Sequence, residues 1–282
     1  PLDIKEQLTA NRIKAYYERL NGKVYISFSG GKDSTVLLHQ VRRMYPNVPA
    51  VFIDTGLEYP EIRDFVKTID NVIWLKPKMP FTQVIEKHGY PVISKENAQK
   101  IKEIRTTKSE KLKHKRLYGD EKGNGKLSEK WQFLVNAPFK ISDRCCHVMK
   151  KEPVKRYEKE TGRGAIVGTM ASDSRLRETA YLQHGCNSFE GRPMSTPMAF
   201  WLESDVWDYI KKYNIQYSKI YDMGYTRTGC MFCMFGLHLN KSSRFDRMRV
   251  THPQIYNYCM EKLGLREVIR YCGITSRTKL LT

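Results

Sequence analysis

Several features are missing from this 282-residue chain, and each absence narrows the choice. No run of about 18 apolar residues occurs, so no membrane-spanning helix is expected. The opening segment, PLDIKEQLTANRIKAYYERL, is too charged for a secretion leader and has the spacing of an amphipathic helix. A cytoplasmic location is therefore the expectation. No internal repeat is visible. The phosphate-binding signatures G-x-x-x-x-G-K-S/T and G-x-G-x-x-G are both absent. Acidic residues are scarce beside basic ones, 30 Asp and Glu against 49 Lys and Arg, which leaves a net charge of +19. Such an excess draws polyanions and favours salt-dependent contact with phosphate backbones, so nucleic acid is an expected partner. Seven cysteines cannot all pair, and without an export signal a disulfide framework is not expected.

The length suits one large domain or two small ones. KVYISFS (23–29), PAVFIDTG (49–56), NVIWLKP (71–77) and GAIVGTM (164–170) are short apolar runs of strand character. STVLLHQVRRMY (34–45), YPEIRDFVKTI (59–69) and LESDVWDYIKKYN (202–214) carry helical spacing, and HPQIYNYCMEKLG and LREVIRYCG add two helices near the end. Strands alternating with helices imply parallel βαβ units with right-handed crossovers. Residues 95–130 interrupt the rhythm with twelve Lys or Arg against six Asp or Glu. This basic insertion is expected to be helical to about Leu117 and to contribute little core. It reads as a solvated arm or as a clamp on a phosphate backbone.

The segment YISFSGGKDSTVLLHQ (25–40) passes from a strand through two glycines into a helix. Glycines let several backbone N–H groups face one anion, and the helix N-terminus adds partial positive charge. Lys32 supplies a full charge, and Ser29, Ser34 and Thr35 supply hydroxyls. Asp33 is out of place in an anion site unless it helps hold a Mg2+ that accompanies the phosphates.

The cysteines form a second pattern. Cys145 and Cys146 are adjacent, and Cys230-x-x-Cys233 follows. Four soft thiolates suit an iron–sulfur cluster or a structural zinc. Adjacent cysteines can share one cluster only if the backbone bends sharply between them. Arg144, Lys150 and Lys151 would balance the cluster charge or face nucleotide phosphates. His147 beside the pair is the histidine of interest, while His39 and His88 read as packing or surface residues. Cys186 and Cys259 read as small hydrophobes.

SFSGGKDS resembles the pyrophosphate-binding PP-loop of the adenine nucleotide α-hydrolase-like superfamily, whose members split ATP between the α and β phosphates. FIDTGLEYPEIRDFV, GTMASDSRLR and PMAFWLESDVWDYIKKYNIQYSKIYDMGYTRTGCMFC narrow the resemblance to its phosphoadenylyl-sulfate (PAPS) reductase branch. In the middle block Met170 stands where that branch has Arg, and Asp173 where it has Glu. The resemblance implies an α/β fold: a doubly wound, mainly parallel sheet with helices on both faces, over residues 1–236. The basic insertion at about 95–130 and a helical C-terminal extension, 237–282, lie outside it. It implies that ATP and Mg2+ are held by Ser27, Ser29, Gly30, Gly31, Lys32, Asp33 and Ser34 of the loop, with Asp54 and Thr55 of the second block. Gly168, Asp173, Ser174 and Arg177 of the third would complete the site. Lys32, Asp33 and Ser34 would carry catalysis.

CC followed by CxxC is similar to the [4Fe-4S] pattern of adenylyl-sulfate reductases and related cluster-bearing ATP pyrophosphatases. By that resemblance Cys145, Cys146, Cys230 and Cys233 are the cluster ligands. The intact SGGKDS loop and the basic charge favour an ATP pyrophosphatase that adenylates DNA or tRNA for sulfur incorporation. The enzymes of DNA phosphorothioation systems and tRNA thiolases are the similar cases, with a cysteine desulfurase as sulfur donor. The alternative is an adenylyl-sulfate or PAPS reductase with Cys272 as nucleophile. That reading meets Thr275 where such reductases carry His. Tyr221, Tyr225 and Arg227 fall in the same family motif and are expected to brace the loop or a substrate phosphate. Tyr118 reads as an exposed turn residue.

Overall fold

The structure is a computed structural model and describes residues 1–239 and 244–274. Thr275 lies outside the described residues. The chain divides into two compact units, residues 1–77 with 152–229, and residues 78–151 with 230–282.

The first unit opens with α1 (Leu2–Arg19), β1 (Val24–Ser27), α2 (Lys32–Met44), β2 (Ala50–Ile53), α3 (Pro60–Lys67) and β3 (Val72–Leu75). The chain then enters the second unit as α4 (Phe81–His88), β4 (Val92–Ile93), α5 (Lys95–Thr106), α6 (Glu110–Tyr118) and α7 (Arg144–Cys146). It returns as α8 (Glu152–Thr161), β5 (Gly164–Val167), α9 (Arg175–His184), β6 (Asn187–Ser188), β7 (Met194–Ser195) and α10 (Glu203–Lys212). The second unit resumes with β8 (Met234–Phe235), α11 (Arg244–Thr251), α12 (Pro253–Asn257) and α13 (Leu265–Tyr271).

In the first unit six strands form one sheet in the order β3-β2-β1-β5-β7-β6. All neighbouring pairs are parallel except β6 with β7. The chain steps outward from β1 to β3 and then returns to the other side of β1 as β5. With the right-handed crossovers that parallel strands take, that reversal puts helices on both faces, which is the doubly wound α/β arrangement. Strands covered on both faces have no solvent side, so they read as unbroken apolar runs. Val24, Tyr25 and Ile26 of β1, Ala50, Val51 and Phe52 of β2, and Ala165 and Ile166 of β5 are accordingly buried. Tyr25 packs edge-on against Tyr157 of α8 and donates its hydroxyl to Glu158 at 2.7 Å. Trp201, fully buried, donates its indole N–H to Thr9 of α1 at 2.9 Å.

The second unit pairs β4 with β8 in parallel. Its basic segment departs from the sequence expectation in two ways. It is not one helix to Leu117 but two, because Ser109 caps a fresh start by accepting from the N–H of Leu112. Nor is it poor in core: Ala98, Ile101, Ile104 and Leu127 are buried. The helical spacing of Ala98, Ile101 and Ile104 on α5 is hidden in the sequence among charged residues. Arg105 is a structural cation, donating to the carbonyls of Leu134, Val135, Ala137 and Phe139 at 2.7–2.9 Å. Among the described residues no helix is long and apolar enough to cross a membrane.

Candidate nucleotide site and cysteine group

The turn after β1 is shaped by its glycines. Gly30 sits at φ +70°, and a Cβ there would lie 2.8 Å from Val66 Cγ2 and 2.9 Å from Ile62 Cγ2. Only glycine takes that conformation at that spacing. Gly31 is the N-cap of α2, and its Cβ would fall 2.8 Å from Thr228 Oγ1. The hydroxyls bind the turn to the helix it opens. Ser34 Oγ and Thr35 Oγ1 donate to the Gly31 carbonyl at 2.9 and 3.0 Å, and Ser29 Oγ lies 3.1 Å from Ser34 Oγ. The Lys32 backbone N–H donates to Tyr221 Oη at 2.8 Å. Tyr221 thus braces the loop, and Tyr225 packs its ring against Tyr59.

Lys32 is buried, and its Nζ is ringed by oxygen. Glu203 Oε1 lies at 3.1 Å, the Thr226 carbonyl at 3.3 Å and Asp33 Oδ1 at 3.4 Å. Burial lowers its pKa, but Asp33, Glu203 and Tyr221 outweigh burial and hold it above the usual lysine value. Burial raises the Asp33 carboxyl above the ordinary range; Lys32 opposes this, and Asp173 and Glu203 add to it.

Facing the loop is the end of β5. A Cβ on Gly168 would stand 3.0 Å from the carbonyl oxygen of Asp33, so β5 and the start of α2 approach backbone to backbone. Beyond it Asp173 pairs with Arg177 and, at 3.3 Å, with Arg227. Ser174 caps α9 by accepting from the Arg177 N–H. Met170, in the place of the family arginine, is buried.

A cavity of about 500 Å³ lies between these pieces. Ser27, Ser29, Gly31, Lys32, Asp33 and Ser34 line one side, and Gly168, Asp173, Ser174 and Arg177 another. Glu203, Tyr221, Arg227 and Thr228 line it as well, with Val167, Thr169 and Met170 at the end of β5. Its floor is the carboxyl ends of β1 and β5, where the strand order reverses, which is the ligand position of open α/β sheets. Lys32, Arg177 and Arg227 supply three positive charges to this lining, and Asp33, Asp173 and Glu203 three negative ones.

Three expected contacts are not part of that lining. Gly30 packs on α3 instead. Asp54 accepts from the Gly56 N–H at 3.2 Å and from Arg63 at 2.9 Å, and Thr55 bonds Glu58, so both are engaged in the turn after β2. Glu203 and Thr228 join the lining without any announcement in the sequence. Glu203 is one acidic residue among several opening a helix, and Thr228 is an unremarked position inside a motif, so neither carries a signal of its own.

The four expected cluster ligands all belong to the second unit and lie within electrostatic reach of one another. Burial raises the Cys145 thiol pKa well above its usual value, the charges of Cys146, Cys230 and Cys233 add to that, and Lys150 opposes it. Lys150 therefore acts on the thiols. Cys145 and Cys146 end a single α-turn that runs directly into a π-helical turn at His147–Lys151, a local widening common at functional sites. Cys230 and Cys233 are joined by a tight turn, N–H to carbonyl at 3.1 Å. The donor chemistry suits an iron–sulfur cluster. The side chains as they stand are not closed around one: among the described residues no group of three or more His, Cys, Asp or Glu is arranged to hold a metal ion. Cys272 ends α13 before Gly273 at φ +63° and is buried, which pushes its thiol up to about 12. Cys259 and Cys186 are also buried.

Residues 23–117 and 95–235 match the phosphoadenosine phosphosulfate reductase domain. The chain belongs to that family. An uncharacterised protein of Methanocaldococcus jannaschii is 28% identical over 267 residues, 92% of this chain and 52% of that protein. The chain thus spans about half the length of this relative. The adenosine 5'-phosphosulfate reductase of Geobacillus kaustophilus is 25% identical over 218 residues, 77% of this chain and 75% of that enzyme. Among solved structures, a tRNA thiolase of Methanococcus maripaludis with its [4Fe-4S] cluster superposes with a TM-score of 0.40 at 14% identity, over 99% of this chain and 84% of that one. PAPS reductase family membership makes this a nucleotide-binding α/β domain.

Proposed function

We propose that this PAPS reductase family domain is an ATP pyrophosphatase that adenylates a nucleic acid, DNA or tRNA, for sulfur incorporation. The observation that carries the reading is the intact SGGKDS turn with Lys32 buried beneath a cavity at the β1/β5 switch point. The cavity volume falls within the range of nucleotide-sized sites. A β–γ pyrophosphate gives that lysine and the glycine turn a purpose that a sulfate nucleotide does not.

The charge balance of the lining supports Mg2+ as co-ligand. Equal numbers of cationic and anionic side chains do not favour a polyanion, and a divalent ion against Asp33 or Glu203 would turn the balance. In the reaction an acceptor oxygen attacks the α-phosphorus, the bond to the α–β bridging oxygen breaks, and its electron pair leaves with pyrophosphate. Lys32 would stabilise charge developing on the leaving group, Arg177 and Arg227 would orient the α-phosphate, and Tyr221 holds the loop in place throughout. AMP on the acceptor oxygen then makes it a leaving group for sulfur.

Cys145, Cys146, Cys230 and Cys233 would hold a [4Fe-4S] cluster, one thiolate to each iron, which would fix the Cys145–Cys146 turn beside the Cys230–Cys233 turn. A cysteine desulfurase is the sulfur donor such a system calls for. The test is a mass balance with α-labelled ATP, Mg2+, cluster-reconstituted protein and DNA or tRNA. AMP, pyrophosphate and a transient adenylylated acceptor are expected. Failure to form AMP with every nucleic acid overturns the proposal.

The reductase alternative is favoured by the adenosine 5'-phosphosulfate reductase relative, 25% identical over 77% of this chain. The burial of Cys272 opposes it, because a neutral thiol in an apolar setting is a poor nucleophile. Sulfite release from adenylyl sulfate, abolished by Cys272→Ser, would establish it.

A further inference from the structure

We infer that the outward face of α6 is a binding surface for unpaired bases of a nucleic-acid strand. This rests on the nucleic-acid acceptor proposed above and gives that acceptor a place on the molecule. Three cations of the basic segment are unsuited to the task because they are already engaged. Lys100 is buried against Glu96 and the Lys126 carbonyl, Arg105 holds four carbonyls, and Arg116 pairs with Glu103 at 2.5 Å. These side chains build the fold.

α6 differs. It fully buries none of its residues. Leu112, Lys113, Lys115, Arg116 and Leu117 are half-buried. Lys111, His114, Lys115 and Tyr118 fall at i, i+3, i+4 and i+7, which is one stripe of a helix. Lys111 and His114 are exposed, and Tyr118 is 67% exposed. Exposed Lys108 precedes the stripe and exposed Lys122 follows it. Lys115 lies 3.3 Å from Asp120, a surface pair that water screens and a phosphate can displace.

The aromatic pair selects the occupant. His114 and Tyr118 stand with ring centroids 4.9 Å apart, and Tyr118 still leaves 67% of its surface exposed. Flanking lysines suit any polyanion. An exposed ring between them suits bases, which stack on it when they are not paired in a duplex. A duplex, or an acidic protein surface, would use the lysines and ignore the ring.

The experiment is fluorescence anisotropy of labelled single-stranded RNA, single-stranded DNA and duplex DNA with the full chain, its Tyr118→Ala variant and a Lys111→Gln/Lys115→Gln variant. Thermal unfolding of each variant confirms folding. Single strands are expected to bind more tightly than duplex, and Tyr118→Ala to weaken them at least fivefold while leaving duplex binding alone. The double lysine variant should lower the slope of log K against log salt by about 1.4 for a single strand. Whichever of RNA and DNA binds more tightly identifies the acceptor class. Single-strand affinity and salt slope unchanged in both variants would overturn the inference, as would equal loss for duplex and single strand in Tyr118→Ala. The two proposals fail separately. Wild-type protein that releases AMP and pyrophosphate while the α6 variants bind normally refutes only the surface, whereas strand binding through α6 without AMP formation refutes only the activity.

Discussion

Lys32 Nζ and Glu203 Oε1 lie 3.1 Å apart at the foot of the cavity, one side chain buried and the other half-exposed. The lysine expected to meet pyrophosphate is thus already paired with a carboxylate from the start of α10. An incoming anion must displace Glu203 or bring a cation for it. Glu203→Gln should therefore tighten pyrophosphate binding in the absence of Mg2+ by roughly three- to fivefold, and reduce its dependence on Mg2+, read by isothermal titration. Lys32→Met should lower pyrophosphate release by roughly 10²–10³-fold. A Glu203→Gln protein with unchanged metal-free affinity would show that the pair does not control entry.

Asp33 supplies a pH prediction. Burial holds its folded pKa above the ordinary value, so the charged carboxylate costs stability. That cost is absent below the unfolded pKa of about 3.9 and is complete once pH has risen past the folded pKa. Asp33→Asn should therefore raise the unfolding midpoint by roughly 1–3 °C at pH 7, with the difference shrinking toward pH 4. Pyrophosphate release should be lost in the same variant. A constant difference across pH would assign the effect to packing instead.

Gly168→Ala tests the approach of β5 to α2. The added methyl would meet the Asp33 carbonyl at 3.0 Å, and backbone on both sides must shift. Misplacing the loop by a fraction of an ångström should reduce turnover roughly ten- to a hundredfold while circular dichroism stays unchanged.

Arg105→Ala removes a fork that satisfies four carbonyls and should cost about 2–4 kcal/mol in urea denaturation. Arg105→Lys should recover little, since an ammonium is a point donor without the planar reach of guanidinium. Full recovery by lysine would mean that charge alone matters there.

The cysteine group is tested by iron and sulfide content after anaerobic reconstitution. About four of each per chain are expected in wild type, with loss in Cys230→Ser/Cys233→Ser and retention in Cys272→Ser. Retention in the double variant would place any cluster elsewhere.

Much of the first unit was legible in the sequence, for a physical reason. Strands covered on both faces must be apolar throughout, so β1, β2 and β5 stand out from their surroundings, and the half-buried edge strand β3 is as apolar. The loop was legible because Gly30, Gly31 and Lys32 combine requirements that few other settings share. What escaped was set by long-range approach. Glu203 reaches Lys32 across the fold, and no local pattern announces it. Asp54 and Thr55 sit at a strand end, as nucleotide contacts do, yet bond within their own turn. The core contribution of α5 was masked because its buried Ile101 and Ile104 alternate with charged residues whose aliphatic stems share the same helix.

Every residue lining the cavity comes from residues 1–77 and 152–229, and the chain leaves that unit after β3 and rejoins it at α8, just ahead of β5. The excursion of residues 78–151 therefore supplies none of the residues that line the cavity. Substitutions confined to residues 78–151 thus leave every residue of that lining in place.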